Sequence, residues 1–452
     1  MERTGTVGST RIERLALALV LGAVSIGGTS GCETKLMPTP VVYATGVPDA
    51  FATTPPEDRT SAITIFYATD RNQTEDEDPA KAYGKERGIV LRLGTARVQM
   101  GADGTSWDEL NAATLAGKQP ALRIVDVEEM GPLWTTVPDR DVEAINAGWD
   151  PARRSDPERE AAYSFVRSIN EQLARSSSGD IVVYVPGINT DFARPVVMAS
   201  ALAHYMGQDR VVVAYCWPST GNIFDYGVDT ETVALTVRNL RDLLLLLSAE
   251  TSVRRIHIVS YSRGAAVVNG AVSQLRLIHA FDDVETMRAA RKLGTIVYAG
   301  PDEDLMVFKG LFLDQIDDIF ETFFIYASPR DFALKLSGSL MSGTERLGRP
   351  GSGFDEATIE SLREEMFSAF IDVEYAQKRA GAGSSGHSFW YDNAWVSSDL
   401  ITALKYGLPP AERGLIRGED GAKWTFPEDY PERIREIVTE RETHSPAPVA
   451  VK

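Results

Sequence analysis

Serine is a weak nucleophile until a base takes its proton and a rigid turn presents its hydroxyl. One stretch of this 452-residue chain, Ser260-Tyr261-Ser262-Arg263-Gly264, has residue types suited to such a turn. A β-branched run (Ile256, Ile258, Val259) precedes it and reads as a short strand buried on both faces. An apolar stretch opening with Ala265-Ala266-Val267-Val268 follows and reads as a helix. Between strand and helix, small-x-Ser-x-Gly has the pattern of a nucleophile elbow, G-x-S-x-G, with Ser260 in place of the first glycine. The turn lifts Ser262 out of the sheet and needs small neighbours, which Ser260 and Gly264 supply. Ala265 and Ala266 let the helix approach the sheet closely. Backbone N–H groups at the helix N-terminus, that of Arg263 first, face a developing oxyanion. The bland alternative is an ordinary turn between a strand and a helix.

An activated serine needs a base, and the base needs an acid to orient it. The chain holds five histidines. His204 and His279 fall on helix faces, His257 inside the strand before the elbow, and His444 near the C-terminus. Only His387, in Gly386-His387-Ser388, follows the last strand candidate in a glycine-rich loop, where a catalytic base would stand. With the nucleophile at such an elbow, the chain order is serine, acid, histidine. Two acids compete. Asp331 follows the second strand after the elbow and is the expected partner; Asp302, at the end of the first, is the alternative acid, or else a cap or loop holder. The second oxyanion donor is expected in Val185-Pro186-Gly187-Ile188-Asn189, where Gly187 permits a tight turn and Ile188 offers its N–H.

The elements that must position these residues alternate. Strands are expected at 62–68, 88–100, 121–127, 181–185, 211–216, 256–259, 295–298, 322–327 and 370–375. Helices are expected near 155–173, 192–206, 231–250, 263–280 and 355–368. Continuous apolar strands separated by amphipathic helices predict a mostly parallel sheet covered on both faces. The first three strands lack intervening helices, which predicts an antiparallel N-terminal edge. Leu243 to Leu247 is too short to span a membrane and reads as buried helix.

Taken in order, the pieces resemble the bacterial α/β-hydrolases of unknown function of the DUF900 type. The resemblance runs from about residue 62 to 400. It rests on Phe66-Tyr67-Ala68-Thr69-Asp70-Arg71, Gly187-Ile188-Asn189, Trp217-Pro218-Ser219, the elbow, Ala299-Gly300-Pro301-Asp302, Tyr326-Ala327-Ser328-Pro329-Arg330-Asp331 and Gly386-His387-Ser388. It implies an α/β-hydrolase fold, often in a secreted or lipid-anchored protein. Two departures flank the oxyanion hole. Pro186 stands where the family has His, and Tyr261 and Arg263 replace its usual His and Met.

The N-terminus carries Arg3, Arg11 and Arg14, then the short apolar core Leu15 to Ile26, then small residues leading to Gly31-Cys32. This is the form of a signal peptide. It resembles a lipoprotein signal, with residues 1–31 removed and Cys32 lipidated; a plain secretory signal is the alternative. Glu33 after the cysteine favours the outer membrane, facing the periplasm. Residues 32–60, with Pro38, Pro40, Pro48, Pro55 and Pro56, read as a semi-extended tether unable to form a core. The hydrolase domain is expected over 61–430 and a C-terminal tail over 431–452, disordered from about Thr443. The net charge of −18 leaves no basic stripe for phosphates and excludes nucleic acid as a partner. Cys32 and Cys216 cannot build a disulfide framework or a zinc site. The expected function is therefore a serine hydrolase with no cofactor or metal, acting on a small-molecule acyl ester and joined to the membrane through Cys32. The alternative is a hydrolase-fold protein turned envelope scaffold. The segment 343–353, with Arg346 and Arg349, is expected to border the substrate pocket. No long apolar lid is evident, which points to small or medium acyl groups.

Overall fold

In a computed structural model, residues 34–133, 156–220, 226–340, 343–349, 369–380, 386–419 and 421–444 are described. The strands, in chain order, are β1 (Ala62–Gln73), β2 (Tyr83–Met100), β3 (Leu122–Pro132), β4 (Asp180–Val185), β5 (Val211–Tyr215), β6 (Arg255–Tyr261), β7 (Leu293–Ala299), β8 (Phe320–Ala327), β9 (Ala369–Asp372), β10 (Ile416–Arg417) and β11 (Lys423–Thr425). They form one sheet in the order β10-β11-β9-β8-β7-β6-β4-β5-β1-β2-β3. The pairings from β1 through β5, β4, β6, β7, β8 and β9 to β11 are all parallel. Only β2 and β3 at one edge and β10 at the other run antiparallel to their neighbours. The expected mostly parallel sheet with an antiparallel N-terminal edge is thus present. β2 is one long strand through Gly94.

Alternation along each strand feeds two cores. On β4, Val182 and Tyr184 enter one face while Ile181, Val183 and Val185 enter the other. This explains strands that are apolar at every position: a sheet buried on both sides leaves no residue for water. The second face is covered by helices Asp156–Leu173, Tyr226–Glu250 and Gly264–Ile278, with Leu243 to Leu247 wholly inside it. The first face is covered by helices Ala193–Tyr205, Ala394–Tyr406 and Tyr430–His444.

Two expectations about the ends of the domain are corrected. The segment read as a tether is packed: Leu36, Met37, Val42, Tyr43, Ala50 and Phe51 are buried in the first core. Its backbone is held too, Leu36 N donating to Pro120 O and Val41 N to Ala394 O. Composition misled here because the apolar residues between the prolines are enough to dock on a ready-made face. The expected tail from residue 431 is instead helix Tyr430–His444, whose Tyr430, Ile434 and Val438 are buried. Residues 1–33 with Cys32, the expected helix at 355–368, and residues 445–452 lie outside the described residues.

Candidate active site

The elbow begins at the carboxyl end of β6, in the middle of the sheet. Ser262 has φ 54°, a left-handed conformation that a non-glycine residue holds only when its surroundings enforce it. Backbone bonds supply the enforcement. Ser262 N donates to Ala299 O (3.0 Å) on β7, and Ser262 O accepts from Asp302 N (3.0 Å) and Ala265 N (3.1 Å). Helix Gly264–Ile278 then leaves against the end of β4. A Cβ on Gly264 would stand 2.6 Å from the carbonyl oxygens of Val185 and Pro186, so only glycine fits. Across the turn, a Cβ on Gly187 would lie 2.7 Å from Ser262 Cβ and 3.2 Å from its Oγ. The loop carrying Gly187 and Ile188 therefore rests directly on the serine.

The histidine comes from the far end of the chain. His387 Nδ1 lies 2.6 Å from Asp331 Oδ2, and its side chain is 12% exposed while the aspartate is fully buried. Its ring packs over Gly300, next to Ala299, the residue bonded to Ser262 N; a Cβ on Gly300 would be 3.2 Å from Cε1. Tyr261, the neighbour of the serine, stacks on the same imidazole at 4.9 Å between centroids and 33° between planes. Ser262, Asp331 and His387 are thus brought to one place from three loops. Burial pulls the imidazole pKa down, but the Asp331 carboxylate, helped by Asp302 and Asp392, outweighs it and holds it above the ordinary value. Asp331 is itself held by Leu334 N, which donates to Oδ1 (3.0 Å), so the aspartate also caps helix Phe332–Leu340.

Asp302, the alternative acid, is engaged elsewhere. Its Oδ1 accepts from Ser337 Oγ (2.7 Å) and lies 3.2 Å from Arg346 Nε. Arg263 donates Nη1 to Asp302 O (3.1 Å). Arg346, in the segment expected to border the substrate pocket, is 3% exposed at its side chain and faces Asp302. Arg349 donates Nε to Pro329 O (3.1 Å), so the described part of 343–353 straps the acid loop. Tyr261 was legible only as a departure from the family pattern, and only its place at the end of β6, next to Ser262, could have suggested contact with the base. Among the described residues no group of three or more His, Cys, Asp or Glu could hold a metal ion.

Comparison with known families agrees in outline. Residues 161–403 match the model of a family described as alpha/beta hydrolase of unknown function (DUF900). No curated protein matches the chain.

Proposed function

Because the chain belongs to the α/β-hydrolase family DUF900, whose model spans residues 161–403, we propose that it is a serine hydrolase cleaving an ester or related acyl bond. The observation that carries this reading is a serine in left-handed conformation at a strand-to-helix elbow, beside a histidine bonded to a buried aspartate. Ser262 Oγ attacks the acyl carbon while His387 Nε2 takes its proton. Asp331 holds Nδ1–H and stabilises the imidazolium that results. The N–H groups of Arg263 and Ile188 receive the oxyanion. Collapse of the tetrahedral intermediate expels the alcohol, which takes the proton from His387. Water then repeats the sequence on the acyl-enzyme and releases the acid. A series of p-nitrophenyl esters tests both reaction and pocket. Wild type is expected to prefer short and medium acyl groups, and Ser262→Ala to lose at least about 10³-fold in kcat. Equal rates in the two proteins would remove the serine from the mechanism, and rates climbing toward long chains would overturn the preference.

The signal-like N-terminus supports export and acylation of Cys32, giving an envelope protein facing the periplasm. Thr34, two residues on, accepts from Leu122 N at the start of β3, the end of the sheet opposite Ser262. An anchored molecule would therefore carry its site on the side away from the lipid. Metabolic labelling with a fatty acid should mark wild type and not Cys32→Ser; equal labelling would refute anchoring at Cys32.

A further inference from the structure

Three sequence motifs have no part in the proton relay: Thr69-Asp70-Arg71 in β1, Gly187-Ile188-Asn189 after β4, and Trp217-Pro218-Ser219 after β5. The fold brings them together. Arg71 is fully buried, a costly place for a guanidinium, and its two terminal nitrogens, though not its Nε, meet acceptors there. Its Nη1 donates to Gly84 O on β2 (2.9 Å), and its Nη2 donates to both Thr190 O (2.7 Å) and Trp217 O (2.8 Å). Asp70, next to it, serves the opposite face, where Oδ2 accepts from Thr236 Oγ1 (2.6 Å) and Asn239 Nδ2 (2.9 Å).

The loop after β4 is held at both ends by the same neighbours. Trp217, buried, donates Nε1 to Pro186 O (2.8 Å). Ser219 Oγ accepts from Thr190 N (3.0 Å) and donates to Thr190 O (3.1 Å). Between these clamps lie Gly187, pressed on Ser262, Ile188, and Asn189 at φ 59°. A non-glycine residue at positive φ is strained and stays there only when bonds on either side fix it. These bonds hold Pro186 at one end and Thr190 at the other of the five-residue loop whose Gly187 rests on Ser262.

We propose that Arg71, with Trp217 and Ser219, is a positioning device that fixes loop 186–190 so that the Ile188 N–H stands ready for the oxyanion. Arg71 touches no reacting atom and acts through the loop. The proposal rests on the serine-hydrolase reading. Preorganised donors aimed at developing charge lose their effect when the loop that bears them relaxes, and the loss falls on the transition state rather than on substrate binding.

Trp217→Phe removes one clamp while keeping an aromatic, though smaller, ring; Ser219→Ala removes another; Arg71→Lys keeps the charge but breaks the fork. Each is compared with wild type in kcat and KM on p-nitrophenyl butyrate, in affinity for a trifluoromethyl ketone that forms a tetrahedral adduct, and in pH profile. The expected result is a fall in kcat of about 10- to 10³-fold. KM and the acidic limb should stay near wild type, and ketone affinity should fall in parallel with kcat. Folded variants with wild-type kcat, a loss confined to KM, or a moved pH limb would overturn the proposal. If Arg71→Lys does not fold, Trp217→Phe and Ser219→Ala decide. A wild-type protein that reacts with no fluorophosphonate brings down the hydrolase reading and this inference together. Normal labelling with unaffected variants removes this inference alone.

Discussion

In the proposed reaction the chemistry turns on one imidazole held between a serine loop and a carboxylate. His387 must be neutral to accept a proton, and the Asp331 carboxylate stabilises its charged form, so activity disappears as pH falls through a raised pKa. The acidic limb of kcat/KM is therefore expected above the roughly 6.5 of a free imidazole. Asp331→Asn should move that limb downward and lower kcat on the order of 10³–10⁴-fold by favouring the wrong tautomer. Asp302→Asn should be milder, because that carboxylate binds Ser337 and Arg346 rather than the ring nitrogen. pH profiles of the two variants at matched thermal stability check this; the reverse ranking would give the orienting role to Asp302. These residues were legible for a physical reason. An elbow needs small neighbours, and loops at the carboxyl ends of parallel strands collect catalytic groups. The stacking of Tyr261 on His387 and the turning of Arg346 toward Asp302 were not legible, since a side chain's direction depends on packing that no local pattern encodes.

At the scale of elements, the segment before β1 shows where composition fails. Its prolines and small residues look like a linker, yet Phe51 sits 4.4 Å from the Trp107 ring and 5.0 Å from that of His204, between centroids. Such a residue belongs to the core. Phe51→Ala is expected to destabilise the fold by about 3–5 kcal/mol in urea unfolding. No change would return the segment to the role of a free tether. The strands of the parallel sheet were readable because burial on both faces leaves an unbroken apolar run. The short β10 and β11 were not: neither has the length or alternation to declare itself. Helix Tyr430–His444 was also missed, because only Tyr430, Ile434 and Val438 mark its buried face among charged residues.

For the molecule as a whole, a parallel sheet brings residues 262, 331 and 387 to one rim although the chain separates the first from the last by more than a hundred positions. The same topology returns Arg71 and Trp217 beneath the facing loop. Ser262 is proposed to act as a nucleophile at this rim. Intact-mass analysis after incubation with a fluorophosphonate, followed by peptide mapping, tests it most directly. One adduct per chain is expected, on Ser262, absent from Ser262→Ala and slowed in Asp331→Asn. A folded wild-type protein that acquires no adduct, or one equally modified when Ser262 is replaced, would contradict it.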